Sequence, residues 1–387
     1  MKKRKEAVAA LAALVSLAAC APGDAGAQRA EIDTTAGAAA PTIPALDGRL
    51  RTLPGFKIAR FARVDGARFM ALGPDGAVYV SRPGAGEVVR LADTNGDGVA
   101  ESQAVAVRDV RSPHGLAFHK GYLYVAGTDG VVRVRLGPDG VARTEPERVN
   151  RYSGGGGHWT RTVIFGADSA MYVSIGSSCN VCVERSPDRA AVMRYDEDGR
   201  NGRLYASGLR NAVGMAVHPE TKEIWVSQHE RDNLRPSHEN LPPEEINILR
   251  DGGDYGWPYC WGDRQPNPEF NEPARCARTE PPALRIQAHS APLGLTFLTG
   301  ATAFPDEYRG DALLALHGSW NRGEPTGAKV VRVRVRNGRP VSYDDFITGW
   351  QDADGDRWGR PADVLVYRDG SVLVSDDDAG AIYRVYR

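Results

Sequence analysis

One short unit recurs six times along this chain of 387 residues. It is an apolar strand, a turn carrying Gly or Asp, and a second strand reading roughly Ile/Val-Tyr/Trp-Val-Ser. The copies run Phe69–Ser81, Gly115–Ala126, Thr162–Ser174, Gly214–Ser227, Leu295–Leu316 with an enlarged turn, and Ala362–Ser375. Taking Val80, Val125, Val173, Val226, Leu316 and Val374 as equivalent, the spacings are 45, 48, 53, 90 and 58. A period of about 40–50 residues built from short strands is the mark of a β-propeller, and six copies predict an all-β, six-bladed ring. The spacing of 90 predicts one insertion at about 232–292. Gly 44 and Pro 25, about 18% against a usual ~12%, suit a fold with many tight turns.

A third strand is visible in Glu87–Leu91, Val131–Val134, Val192–Tyr195, Val330–Val335 and Ile382–Val385, where apolar residues alternate with Arg as on a strand with one wet face. Phe56–Phe61 alternates too and is placed to supply the outer strand of the last blade, closing the ring. In such a blade the loop entering the innermost strand and the loop leaving the second strand open on the same mouth. The entering loops carry His114, His158, Arg210-Asn211, His289-Ser290 and Arg360. The leaving loops carry Ser177, Gln228-His229-Glu230, the stretch His317 to Arg322, and Asp376-Asp377-Asp378. One mouth thus gathers a histidine base, several arginines and carboxylates, a set suited to an anion-binding enzyme site.

The first six residues hold four cations and one anion, followed by the 13-residue apolar run 7–19, too short to span a bilayer and the length of a secretory h-region. Leu17-Ala18-Ala19-Cys20 resembles a bacterial lipobox. Segment 1–19 is therefore read as a lipoprotein signal with Cys20 lipidated; a signal cleaved near Gly26-Ala27 is the plainer reading. Residues 20–48 are rich in Ala, Gly, Thr and Pro, with too little apolar bulk to offset ordering entropy, and are read as a tether; 49–387 is the propeller. Membrane contact is expected only through the lipidated N-terminus, with the chain exported, periplasmic or secreted. The net charge of −1 includes that basic leader, so the rest stands near −4, without the basic stripe of a nucleic-acid binder.

Export favours disulfides, Cys179 with Cys182 and Cys260 with Cys276. The residue after Cys182 is Val183, so the His of a c-type haem attachment is absent. Four glycines before His158 allow backbone to approach a ligand and leave an accessible imidazole near its ~6.5 reference pKa, although a flexible loop with a surface His reads the same way. Glu244-Glu245 with Asn247, followed by Gly252-Gly253, offers the hard oxygen ligands calcium prefers. Asp93-Thr-Asn-Gly-Asp97 begins like a calcium loop, but Ala104 stands where the bidentate Glu belongs, so a hairpin turn is expected there.

The His158 loop, Gly208-Leu-Arg-Asn211, Glu245-Ile-Asn247 with Tyr255-Gly-Trp-Pro258, His317-Gly-Ser-Trp-Asn-Arg322 and Gly359-Arg-Pro361 together resemble the glucose/sorbosone dehydrogenase family, nearest its sorbosone-dehydrogenase-like branch. That resemblance covers about 50–387. It implies a six-bladed propeller using pyrroloquinoline quinone (PQQ) and Ca²⁺ to oxidise an aldose, a sorbosone-like aldehyde or a related polyol, passing electrons to an external acceptor. It also implies His158 as general base, and Arg210, Asn211, Gln228, Trp257, Trp320, Asn321, Arg322 and Arg360 around the cofactor. His114 and Ser177 would meet substrate. Carbonyls at His229 and Glu230 would hold one calcium, and Glu245 with the Tyr255 carbonyl a structural one. The chain departs from sugar-oxidising members in having Gly157 and Ser177 where they carry acids, and Ala362 where they carry a second Arg. The alternatives are a calcium-dependent propeller lactonase, which needs carboxylates and Asn converging on the axis, and a non-catalytic carbohydrate- or protein-binding propeller.

Overall fold

The computed structural model describes residues 48–235 and 239–387. The signal segment 1–19, Cys20 and the tether up to residue 47 lie outside the described residues. Six sheets of at least four antiparallel strands each follow the repeat. Blade 1 is Met70–Leu72, Val78–Arg82, Glu87–Ala92 and Ser102–Val107. Blade 2 is Leu116–His119, Tyr122–Gly127, Gly130–Val134 and Glu147–Arg148. Blade 3 is Arg161–Phe165, Met171–Ile175, Ala191–Tyr195 and Arg203–Ser207. Blade 5 is Pro292–Phe297, Ala312–Leu316, Lys329–Arg336 and Arg339–Thr348. Blade 6 is Pro361–Val366, Val372–Asp376 and Ala381–Tyr386, completed by Lys57–Arg63. The early alternating segment therefore closes the ring as its pattern predicts. Innermost strands touch their neighbours in a complete cycle, blade 6 meeting blade 1.

Blade 4 differs from the sequence expectation. Stretch 232–292 is not one block outside the repeat, because Glu244–Ile248 and Leu284–Ile286 within it are the third and fourth strands of blade 4 after Ala212–Val217 and Ile224–Gln228. Loops 229–243 and 249–283 separate those strands and hide the period. The longer loop carries the hairpin Cys260–Trp261 with Gln265–Pro266 and the helical turn Pro273–Cys276, clipped by the Cys260–Cys276 disulfide. Gly253–Asp254 pairs with the outer strand of blade 3. Among the described residues no helix is long and apolar enough to cross a membrane.

The second strands are buried on both faces, as in Met171–Ile175 and Ile224–Gln228, because each blade packs against two others. Six apolar clusters lie one between each successive pair of blades. Trp225 packs on Phe297 between blades 4 and 5, and Trp350 lies between 5 and 6. A seventh cluster of Phe69, Val213, Leu293 and Ala362 fills the centre with innermost-strand residues.

In two repeats the Ser ties blades together. The Ser227 hydroxyl donates to the Leu293 carbonyl of blade 5 (2.6 Å), and the Ser375 hydroxyl to the Arg68 carbonyl at the start of blade 1 (2.7 Å). The turn Asp recurs as a clamp. Asp75 accepts from the Ala77 amide, the Tyr79 hydroxyl and Arg90, and Asp168 accepts likewise from Ala170, Tyr172 and Arg194. Glycine is required where innermost strands meet: a Cβ on Gly115 would lie 2.6 Å from Thr162 Cα of the next blade. The Asp93 loop is a turn, its carboxylate accepting from the Gly96 and Gly98 amides (2.7 and 3.1 Å).

Candidate active site

The entering and leaving loops enclose a cavity of about 330 Å³ lined by His158, Arg210, His229, Glu230, Asp232, Glu244, His289, Ala291, His317, Gly318, Trp320 and Arg360, within the usual small-molecule range. The glycine run before His158 is not slack. Buried Arg189 donates to the Gly155 and Gly156 carbonyls (2.9 and 3.0 Å), and fully buried Arg161 donates to the His158 carbonyl (2.8 Å). Gly157 has φ +56°, and a Cβ there would meet the Ser177–Ser178 peptide. An acidic side chain before His158 therefore has no room.

The hydrogen bonds around His158 settle its tautomer. Its Nδ1 lies 2.8 Å from Ser177 Oγ and 3.2 Å from the Ser177 carbonyl. The Ser177 hydroxyl proton is already donated to the Cys179 carbonyl at 2.7 Å. Both oxygens can then only accept from Nδ1–H, which leaves the Nε2 lone pair as the basic site. Burial, with the Arg210 charge, lowers the His158 pKa to about 3, correcting the expectation of an imidazole near its reference value. The ring is neutral at pH 7 and able to take a proton.

Cationic groups flank it. Arg210 donates to the Glu230 carbonyl (2.7 Å) and to Asn180, with Asp232 3.6 Å away. Arg360 donates to the His317 and Gly318 carbonyls (2.9 and 2.7 Å). Burial lowers the pKa of both arginines, so an anion in the cavity would relieve a real desolvation cost. His317 Nε2 faces Asp377 at 2.8 Å, with Arg68 bonded to the same carboxylate at 2.5 Å. Burial opposes ionisation of Asp377, but His317 and Arg68 hold its pKa well below the usual carboxylate range.

Three buried carboxylates cluster at one side of the site, Glu230 and Glu244 in the cavity wall and Glu245 behind them. Gln228 Nε2 bridges Glu230 and Glu245 (2.5 and 3.2 Å), Asn247 Nδ2 donates to Glu245 (2.8 Å), and Glu244 accepts from the Glu230 amide (2.7 Å). Burial raises Glu230 to about 7 and Glu244 to about 8; burial together with the Glu230 charge raises Glu245 well above its usual range. Gln228 Oε1 and Asn247 Oδ1 are buried without a partner. Crowded buried carboxylates beside orphaned amide oxygens supply hard oxygen donors of the kind Ca²⁺ takes.

Other expected site residues are placed differently. Trp257 is buried, its indole N–H donating to the Asn180 carbonyl, and does not line the cavity. Arg322 turns into loop 229–243, donating to Asn240 (3.2 Å) near Glu239, and neither it nor Asn321 lines the cavity. Asn211 is buried, accepting from Thr160 (3.0 Å), and Gln228 faces the carboxylates. His114 is fully buried against Phe69, bonded to the Arg161 carbonyl, and Ser177 lies beneath His158, so neither is placed to meet substrate. The His229 and Glu230 carbonyls both face Arg210 (3.5 and 2.7 Å), which opposes a cation there. Tyr255 packs in the blade 3–4 cluster, its hydroxyl on the Ile248 carbonyl. Loop position does not fix side-chain direction, which explains most of these differences. Asp232, Arg68, Arg161 and Arg189 were missed as site residues and carried no sequence signal; Glu244 was read only as part of the Glu244-Glu245 doublet.

Among the described residues the central cluster of the ring is apolar, whereas a propeller lactonase would need carboxylates and Asn converging there. The TrAA12-like family matches this chain over residues 50–387. An uncharacterised protein of Borreliella burgdorferi is 35% identical over 57% of this chain and 58% of its own length. The pyrroloquinoline quinone-dependent pyranose dehydrogenase of Coprinopsis cinerea is 24% identical over 90% of this chain and 56% of its own length. This chain thus spans a little over half the length of these curated relatives. The holo form of the pyranose dehydrogenase PQQ domain from Coprinopsis cinerea superposes with TM-score 0.76 at 22% identity, covering 91% of this chain and 99% of that domain, a likeness of fold.

Proposed function

The chain belongs to the TrAA12-like family, and from that premise we propose that it is a PQQ- and calcium-dependent oxidoreductase of a sugar or sugar-derived aldehyde. A curated relative that matches 90% of this chain is a PQQ-dependent pyranose dehydrogenase. The observation that carries the reading is a neutral His158 with a free Nε2 in the same cavity as the buried arginines 210 and 360. PQQ is a planar tricarboxylate that supplies a hydride acceptor when bound. Arg210 and Arg360 would hold its carboxylates, with the exposed Trp320 as an apolar wall. Glu245, Glu230 and the Gln228 and Asn247 oxygens would hold the calcium.

In this reading His158 Nε2 removes the proton of the substrate hydroxyl as the C–H bond gives up its hydride. Help of this kind is typically worth 10²–10⁴-fold. Ser177 keeps Nδ1 protonated, so the basic nitrogen stays on the cavity side. Aldoses, polyols and sorbosone-like aldehydes are the substrate classes. The chain carries no haem attachment motif, so electrons pass to an external acceptor. We place this activity outside the cytoplasm, with Cys20 as lipid anchor.

The test is titration of calcium-loaded protein with PQQ, followed by dye reduction with a panel of those substrates and His158→Asn as control. Stoichiometric binding, with turnover lost in the variant, is the expected result. Absence of binding at micromolar quinone would overturn the reading.

A further inference from the structure

A loop that barely reaches the cavity ties three parts of the site together. In the leaving loop of blade 3 the Cys179–Cys182 disulfide closes a ring at a sequence separation of 3, and Asn180 sits inside it. The Asn180 carbonyl accepts from Arg210 Nε (3.0 Å) and Trp257 Nε1 (3.1 Å). Its Oδ1 accepts from Arg210 Nη2 and from the Asp232 amide (both 2.9 Å), and its Nδ2 donates to the Asp232 carbonyl (2.9 Å). One residue thereby joins the entering loop of blade 4, its leaving loop and loop 249–283. The neighbouring Cys179 carbonyl takes the Ser177 hydroxyl proton, on which the His158 tautomer depends.

The two Asn180 oxygens meet Nε and Nη2 of Arg210 as a carboxylate would, as a two-pronged fork. An amide carries no charge. The guanidinium is therefore held in plane by a neutral partner, with the Asp232 carboxylate 3.6 Å from Nη2 as a looser counter-charge. A carboxylate in the same place would orient Arg210 equally well and cancel the charge an anionic ligand needs.

We propose that the Cys179–Cys182 ring is the positioning element of this site: Asn180 aims the charged Arg210 guanidinium into the cavity, and Cys179, through Ser177, holds the His158 tautomer that leaves Nε2 basic. The first half rests on the quinone reading above; the second does not.

Three variants separate the parts. Asn180→Ala removes the Oδ1 prong of the fork and both side-chain bonds to Asp232, leaving the backbone carbonyl in place. Because hydrogen bonds to charged groups contribute about 1.5–3 kcal/mol, PQQ affinity measured by equilibrium dialysis should fall about tenfold to a hundredfold, with turnover at saturating quinone falling much less. Asn180→Asp keeps the fork, adds a charge and gives up the donor to the Asp232 carbonyl, so it should stay folded in a melting experiment yet fail to restore affinity. If Asp restores wild-type affinity, Asn180 is merely structural and that half of the inference falls. Failure of the wild-type protein to bind PQQ sinks the quinone reading, and with it this half.

The second half is read without quinone. In ¹⁵N-histidine NMR of the calcium-loaded protein, wild-type His158 should show a protonated Nδ1. Ser177→Ala and the pair Cys179→Ser/Cys182→Ser should each give a mixture of tautomers. A wild-type Nε2–H form, or a signal unchanged in both variants, overturns it.

Discussion

Replacing His158 with Asn tests the burial argument apart from catalysis. Asn retains a donor that can reach the Ser177 oxygens and removes the titrating nitrogen. In the unfolded chain His158 titrates near 6.5; in the folded protein burial and the Arg210 charge lower this to about 3. The groups acting on it are Arg210 and Arg189, which oppose its charging, and Asp232, which favours it. A depressed histidine pKa means the unfolded state binds the proton more readily. The contribution is thus fully present above pH 6.5 and is lost as pH falls from 6.5 towards 3. Between pH 7.5 and 5 the unfolded chain gains almost a full proton and the folded protein almost none, which corresponds to ~2 kcal/mol. The ring borders a cavity open to water, so screening reduces the expected figure to about 1–2 kcal/mol. That is a sizeable part of a domain stability of ~5–15 kcal/mol. Urea unfolding at both pH values, with calcium and without quinone, should show the wild type losing that much more than His158→Asn. Parallel losses in the two proteins would refute a neutral, buried His158.

Gly214→Ala places a Cβ against the Leu293 carbonyl and Ser227 hydroxyl, at the seam of blades 4 and 5; a loss of about 1–3 kcal/mol is expected by urea unfolding. Glu245→Gln should weaken calcium binding at least tenfold by calorimetry while leaving a folded protein, since the amide keeps the volume and relieves the carboxylate crowding seen in its raised pKa. Losing the Cys260–Cys276 clip, at a sequence separation of 16, should cost about 3 kcal/mol in the loop-entropy account, against about 2 for the shorter Cys179–Cys182 ring. Paired Cys→Ser variants compared by denaturation check that order.

The repeat made the ring legible because each blade is a local object: its turn Asp, its Tyr-Val-Ser strand and its Arg-bearing third strand follow one another closely. The closing strand could be read too, since Lys57–Arg63 alternates without a partner nearby. The mouth rule also worked for His158, Arg210, His229, Glu230 and Arg360, whose loops converge on one cavity whatever their sequence distance. Direction was not legible. Arg322 and Trp257 lie in the right loops yet point into neighbouring ones, because long side chains follow whichever carbonyls the tertiary fold offers. Blade 4 was hidden since its outer strands stand behind loops longer than the period. Arg161 and Arg189 could not be read as site residues, as their role is to cap backbone carbonyls of the 153–160 loop that no motif describes.

Six interlayer clusters without a dominant central core make this molecule a cyclic array of neighbours. An open row of six blades has five contacts; pairing Lys57–Arg63 with Ala381–Tyr386 ties the chain just before blade 1 into blade 6 and so brings in the sixth, the packing of blade 6 on blade 1. In the open row Ala381–Tyr386 is left as an unpaired edge, so the open row is the species most prone to strand-to-strand association. Closure turns a string of units that could fray from either end into one that must first be broken in the middle. The segment Lys57–Arg63, distant in sequence from everything else in blade 6, therefore governs how cooperatively the rest comes apart.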